Sequence, residues 1–298
     1  MRITLVGPGK ISIPPKSWGA VEMLIYDQAT KLKEIGHEIT IVNEDKLKNR
    51  EIAIHKSKPE VIHFHYDQHI YDNYLGNYQN IYFTSHFPYT PQYEKYKKIF
   101  KNPLITNILK LICKFLPNRI LPLLGLSYEL ISLVRHFPLF MNFVKVPKSI
   151  KLICLSNEIS EVYKSYGYKN KIFIHKNSAR EDLIKFKEIQ SKEKSAICIG
   201  LIQRRKNQFN LSNISCLYFV GPIADKRFKK SHPRYLGEWT RKELYKKLSN
   251  FSSLVLLSEG EAHALVTSEA LLAGLGLVLS EEAVANLDLS KEFIDVIP

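Results

Sequence analysis

Apolar runs closed by turn residues alternate along this chain with stretches of helical period, and the two patterns separate cleanly. Residues 2–6 (RITLV) form an apolar run ending at Gly7-Pro8-Gly9, the signature of a buried strand and its turn. After a loop rich in proline and glycine, Val21, Leu24, Ile25, Ala29 and Leu32 recur at helical spacing, which predicts a helix over residues 20–35. Residues 36–42 then return to a strand pattern. Strand, loop, helix, strand is the opening of a mononucleotide-binding fold. No GxGxxG occurs in that loop, so a dinucleotide site of the dehydrogenase type is disfavoured.

Further strands are predicted at 59–66, 80–85, 150–156 and 171–175, with a helix over 158–166. The segment 96–146 breaks this rhythm. Leu104, Ile105, Ile108, Leu109, Leu111, Ile112, Phe115 and Leu116 make a wide apolar face there, with Lys101, Lys110 and Lys114 beside it. Apolar runs at 120–124 and 137–143 follow. No uncharged run reaches the roughly 18 residues that a membrane-crossing helix needs. Helices packed on the sheet are the first expectation, and peripheral contact with a membrane interface is the second. The charged stretch 180–194 reads as a linker, dividing the chain into domains 1–180 and 181–298.

The second domain repeats the pattern. Strands are predicted at 195–200, 217–222, 251–258 and 275–280, with a short apolar run at 293–297. Thr240 and Glu243 stand as a capping box for a helix reaching Leu248. Between the last two main strands, Leu265, Val266, Ala270, Leu271 and Ala273 fall at helical spacing, and Gly274 ends the helix. The loop before that helix is where parallel sheets hold ligands, and the first helical turn offers N–H groups suited to phosphate. Glu261 and Glu269 frame it. Carboxylates repel phosphate and suit hydroxyls, so a ligand carrying both, such as a nucleotide sugar, fits. Arg204, Arg205 and Lys206, just past a strand end, have the charge and donors for a diphosphate.

These residues carry a resemblance. Glu261-x7-Glu269 followed by Ala-Leu-Leu-Ala-Gly274 resembles the E-x7-E signature of the retaining glycosyltransferases of family 4. Trp18-Gly19-Ala20-Val21-Glu22 with Gly36-His37-Glu38 is similar to that family's opening, with Ala20 where a second glycine is usual. The resemblance implies an α/β protein of GT-B architecture, two Rossmann-like domains with parallel sheets facing across a cleft. It implies a catalytic set of Glu261, Lys206, Arg205 and His86. In it, Arg205 and Lys206 hold the diphosphate, Glu261 the sugar hydroxyls, and His86 reaches the sugar from the opposite domain. Glu269 would hold the ribose, with His263, Ala264, Leu265, Val266 and Gly19 completing the donor site. Leu201 stands where the family often has an arginine, with Arg204 as the candidate substitute. Asn177-Ser178 replaces an asparagine-glycine turn. The family's long C-terminal helices are missing, which suggests a compact variant or a shortened chain.

The expected reaction is retaining transfer from a nucleoside-diphosphate sugar to a hydroxyl of a glycan or lipid-linked acceptor, in glycan, lipopolysaccharide or capsule synthesis. No cofactor and no metal are expected, and no DxD motif occurs. A nucleotide-sugar epimerase or phosphorolytic enzyme on the same fold is the second reading, and a non-catalytic basic binding protein the third. Composition changes this picture little. The 298 residues are 45% hydrophobic and 24% charged, ordinary for a folded two-domain protein. The net charge of +14 leaves nucleotide, anionic lipid and nucleic acid open, and the absence of an aromatic-basic motif argues against specific nucleic-acid recognition. His63, His65 and His86 invite a metal reading, but alternation puts the first two on one strand face, where packing against a helix is favoured. Four scattered cysteines with no CxxC pair, and an opening without a signal peptide, suit a cytoplasmic protein, with attachment at the inner membrane face left open.

Overall fold

A computed structural model describes residues 1–16, 18–71, 73–86, 96, 98–100, 102–116, 124–127, 129–134, 137, 149–165, 167–180, 183 and 193–298. Two parallel sheets organise these residues. The first contains β1 (Arg2–Val6), β2 (Glu38–Val42), β3 (Val61–Phe64), β4 (Ile81–Ser85), β5 (Ile150–Cys154) and β6 (Ile172–Ile174), in the order β2-β1-β3-β4-β5-β6. The second contains β7 (Glu193–Ile199), β8 (Leu217–Val220), β9 (Phe251–Leu256), β10 (Gly276–Ser280) and β11 (Ile294–Ile297), in the order β11-β10-β9-β7-β8. Both are α/β sheets of Rossmann type, with α1 (Ala20–Glu34), α2 (Leu47–Ser57), α3 (Pro103–Phe115) and α4 (Asn157–Ser165) beside the first. The second carries α5 (Arg241–Lys247) and α6 (Leu265–Leu272).

The apolar runs form these strands because parallel sheets are covered on both faces. Leu5, Phe64, Ile81 and Leu152 are wholly buried in the first sheet, and Ile197, Leu254 and Leu279 in the second. Most predicted elements appear within a residue or two of their expected limits, and the capping box of Thr240 and Glu243 starts α5. Helix α2 is the exception, with no counterpart in the sequence reading. It buries only Arg50 and Ile54, and Arg50 Nη1 donates to the carbonyls of Glu44 and Asp45 at 2.9 and 3.0 Å. Of the four free cysteines, Cys154 and Cys198 are buried, Cys113 is partly buried and Cys216 is exposed. Most of the expected linker, and the apolar runs at 120–124 and 137–143, lie largely outside the described residues.

Strand order fixes where a site can form. In each sheet the connections run one way and then the other, reversing between β1 and β3 and between β7 and β9. Loops leaving the carboxyl ends of strands at such a reversal splay apart and leave a crevice. The two sheets meet along these edges. Ala262, in the loop after β9, packs into the core cluster of the first sheet, and Asn286 Nδ2 donates to the Leu155 carbonyl at 2.7 Å.

Candidate functional site

The loops after β7 and β9 meet at the second reversal point. Gly200 ends β7 with φ +128°, and a Cβ there would lie 3.1 Å from Lys206 Nζ, so glycine lets the lysine cross close to the backbone. Lys206 Nζ reaches Glu261 Oε1 at 3.4 Å, and both side chains are largely buried. Glu259 N donates to the Arg205 carbonyl at 2.8 Å, tying the two loops together. Helix α6 then starts behind Ala264, with no side chain capping its first turn. Its leading N–H groups and positive dipole end are thus directed outward, as an anion requires.

The wall opposite is the carboxyl edge of the first sheet. His63, His65 and His86 form a chain there. Gln28 Nε2 lies 3.2 Å from His63 Nδ1, His63 Nε2 lies 2.7 Å from Thr84 Oγ1, and His65 Nδ1 lies 3.1 Å from His86 Nε2. The rings of His65 and His86 stack at 5.4 Å between centroids. As alternation predicted, His63 and His65 share a face, and His63 bonds to Gln28 of the covering helix α1. Burial pushes His63 down to about 3 and His86 down to about 4, and holds His65 well below the ordinary histidine value, with the other histidines adding to it for His63 and His65. All three rings are therefore neutral near pH 7.

Between the walls lies a cleft of about 320 Å³. Gly19, His86, Lys206, Glu261, His263, Ala264, Leu265, Val266 and Glu269 all line it. Arg205 does not. Its Nη1 donates to Ser258 Oγ at 3.0 Å, to the Gly260 carbonyl and to Glu261 Oε1 at 3.3 Å, so this nitrogen braces the turn before α6. The sequence reading expects Arg205 on a diphosphate; in this structure its Nη1 faces the turn before α6. Arg205 and Lys206 both reach Glu261 Oε1, and of the two Lys206 lines the cleft. Arg204, the expected substitute for the arginine lacking at position 201, is also absent from the lining. Gly19 has φ +140°, and a Cβ there would lie 2.9 Å from Glu22 Oε2, so the turn into α1 requires glycine.

The sequence reading missed part of the lining. Asp27 stands on the face of α1 that also carries Ala20, Met23 and Leu24, and it pairs with two guanidinium groups: Arg180, and Arg241 at 3.7 Å. Arg241 also donates to Met23 Sδ at 3.3 Å and to Tyr245 Oη at 3.0 Å. Asn177 binds His263 twice, through its own N–H to Nδ1 and through Nδ2 to the carbonyl, both at 2.9 Å. Burial, helped by Lys176, lowers the His263 pKa, which leaves Nδ1 free to accept that bond. Trp239 lines the cleft next to the capping box of α5. Among the described residues, no cluster of histidine, cysteine and carboxylate side chains has the arrangement of a metal site.

Several solved structures share this shape. Sucrose-phosphate synthase from Thermosynechococcus elongatus superposes with a TM-score of 0.63 at 13% identity, over 99% of this chain and 85% of its own. WaaG, a glycosyltransferase involved in lipopolysaccharide biosynthesis, gives 0.59 at 13%, over 94% and 81%. Anabaena HepE, solved in complex with UDP and glucose, gives 0.55 at 11%, over 95% and 81%. The fold is GT-B. At 11–13% identity the likeness is one of fold. No family model matches the chain. No curated protein matches it by sequence.

Proposed function

We propose that this GT-B protein transfers a sugar from a nucleoside-diphosphate donor to an acceptor hydroxyl with retention at the anomeric carbon. One observation carries the reading. The Glu261-x7-Glu269 loop and helix, Lys206 and the neutral His86 converge on one cleft from two domains. The donor lies on the second domain, residues 181–298, with its diphosphate against Lys206 and the N–H groups of Leu265 and Val266. Glu269 accepts from the ribose hydroxyls and Glu261 from those of the sugar. His263 and Ala264 shape the floor, while Gly19 and His86 close over the sugar from residues 1–180. In the reaction the anomeric C–O bond to phosphate breaks, the acceptor oxygen bonds to that carbon, and the acceptor proton passes to the leaving phosphate oxygen. Negative charge grows on the diphosphate, and preorganised stabilisation of it by Lys206 and the start of α6 is the largest catalytic contribution. Arg205 acts one step back, holding Glu261 and the Gly260 carbonyl in place.

The acceptor is a glycan or a lipid-linked sugar of the kind used in surface polysaccharide synthesis. WaaG, of the same fold, is involved in lipopolysaccharide biosynthesis, which supports that class. The complex of HepE with UDP and glucose supports a uridine nucleotide as the first donor to test. Incubation with a panel of nucleoside-diphosphate sugars should release one nucleoside diphosphate, faster when a glycan acceptor is added. Conversion of donor to an isomeric nucleotide sugar without acceptor would favour the epimerase reading instead.

A further inference from the structure

Helix α3 carries two separate apolar faces. One packs inward, where Thr106 and Leu109 are buried and Ile105, Ile112 and Cys113 lie against the core of the first sheet. Among the described residues, nothing covers the other. Leu104, Ile108, Leu111 and Phe115 are 73%, 50%, 58% and 70% exposed. At about 100° per residue, these four positions fall within roughly 60° of arc. A helix covering a sheet normally turns polar residues to that side. Scattered exposed leucines are ordinary, but four large side chains in one row on one helix are a surface that something covers.

The charges around the row identify what covers it. Lys110 and Lys114 flank it along one side, Lys98 is exposed just before the helix, and α3 contains no Asp or Glu. Lys114 Nζ lies 5.4 Å from the centre of the Phe115 ring, which places its charge beside the apolar row. The chain as a whole carries +14. Apolar side chains entering the acyl boundary with lysines at headgroup level are the chemistry of an anionic lipid surface. A second copy of this strongly basic chain would bring like charges together at the same face. Among the described residues no helix is long and apolar enough to cross a membrane, so contact through α3 lies in the plane of the surface.

We propose that the outer face of α3 docks this protein onto anionic lipid bilayers. This goes beyond the transfer reading and is tested without it, because binding is read on vesicles with no substrate present. The intact chain should sediment with vesicles of equimolar phosphatidylglycerol and phosphatidylcholine, and much less with phosphatidylcholine alone. Phe115→Trp should show a blue-shifted emission component that brominated acyl chains quench. Leu104→Ser with Phe115→Ser should lower the partition coefficient by roughly tenfold or more. Both side chains are exposed, so the thermal midpoint should hold. Lys110→Glu with Lys114→Glu should remove the preference for anionic vesicles. The proposal is overturned by failure to bind anionic vesicles, or by binding that neither pair of substitutions changes. It is equally overturned by a concentration-dependent dimer that the serine pair abolishes, since a second copy would then cover the row.

Discussion

The two walls of the cleft are built from opposite chemistry. On the second-domain wall, charges are gathered and paired: Lys206 and Arg205 both reach Glu261, and α6 adds its uncapped N-terminus. On the first-domain wall two imidazoles, His63 and His65, sit buried beside the partly buried His86, and His65 and His86 share a hydrogen bond that needs only one proton. The difference teaches what each wall can do. A charged wall holds an anion and answers the charge that grows on a leaving group. A neutral wall gives and takes hydrogen bonds from hydroxyls without attracting or repelling the anion opposite. Among the described residues His65 Nε2 is buried without a partner, and an unused lone pair is cheaper to bury than an unused N–H. His65 therefore carries its proton on Nδ1 and donates to His86, which leaves His86 Nδ1–H as the donor.

Breaking the charged wall should cost most. Lys206→Ala should lower kcat by about a hundredfold to a thousandfold, the usual loss when one preorganised donor at a developing charge is removed. A steady-state comparison checks this, and an unchanged kcat would mean that the anion lies elsewhere. The neutral wall should instead reveal itself through pH. Because burial pushes His86 down to about 4, kcat/KM should show no step from His86 titration between about pH 5 and 7. Stability should respond in the opposite way. His63 and His86 have folded values below the unfolded one, so the unfolded chain takes up protons first as pH falls from about 6.5 toward 4. Stability is full above that window and declines within it. Thermal midpoints across this range should fall, and by less in His63→Gln.

The smallest effect is expected between the walls. Asp27 bridges from α1 to Arg180 and to Arg241 at the start of α5, joining the first domain to the second at the side of the cleft. These groups are about a quarter exposed, so Asp27→Asn should cost about 1 kcal/mol or less in stability. Small-angle scattering should register a more open average shape, whereas an unchanged profile would show that the ion pairs follow closure rather than hold it.

How legible all this was in the sequence depended on whether the signal was local. The strands and α6 were readable because parallel strands are apolar on both faces and helix ends carry turn residues. Helix α2 was not, since it buries one isoleucine and one arginine and so lacks an apolar stripe. Glu261, Glu269 and Lys206 stand in short motifs whose spacing survives in one stretch. Asp27, Arg180 and Arg241 carry no such mark, because each acquires meaning only from partners more than a hundred residues away or across the cleft. Arg205 and Lys206 were legible as adjacent cations, but that both turn toward the one carboxylate of Glu261 was not, because Glu261 lies more than fifty residues further along the chain.

Glu269 gives the most direct test of the site. Thermal unfolding of wild type and Glu269→Ala should be compared with a panel of nucleoside diphosphates and their sugars. Ligand at about a hundredfold excess over its Kd adds about 2.7 kcal/mol, a shift of a few degrees for a chain of this size. The account predicts that one nucleoside diphosphate stabilises wild type and leaves Glu269→Ala nearly unmoved. Equal stabilisation of both proteins, or none of either by any nucleotide, would contradict it.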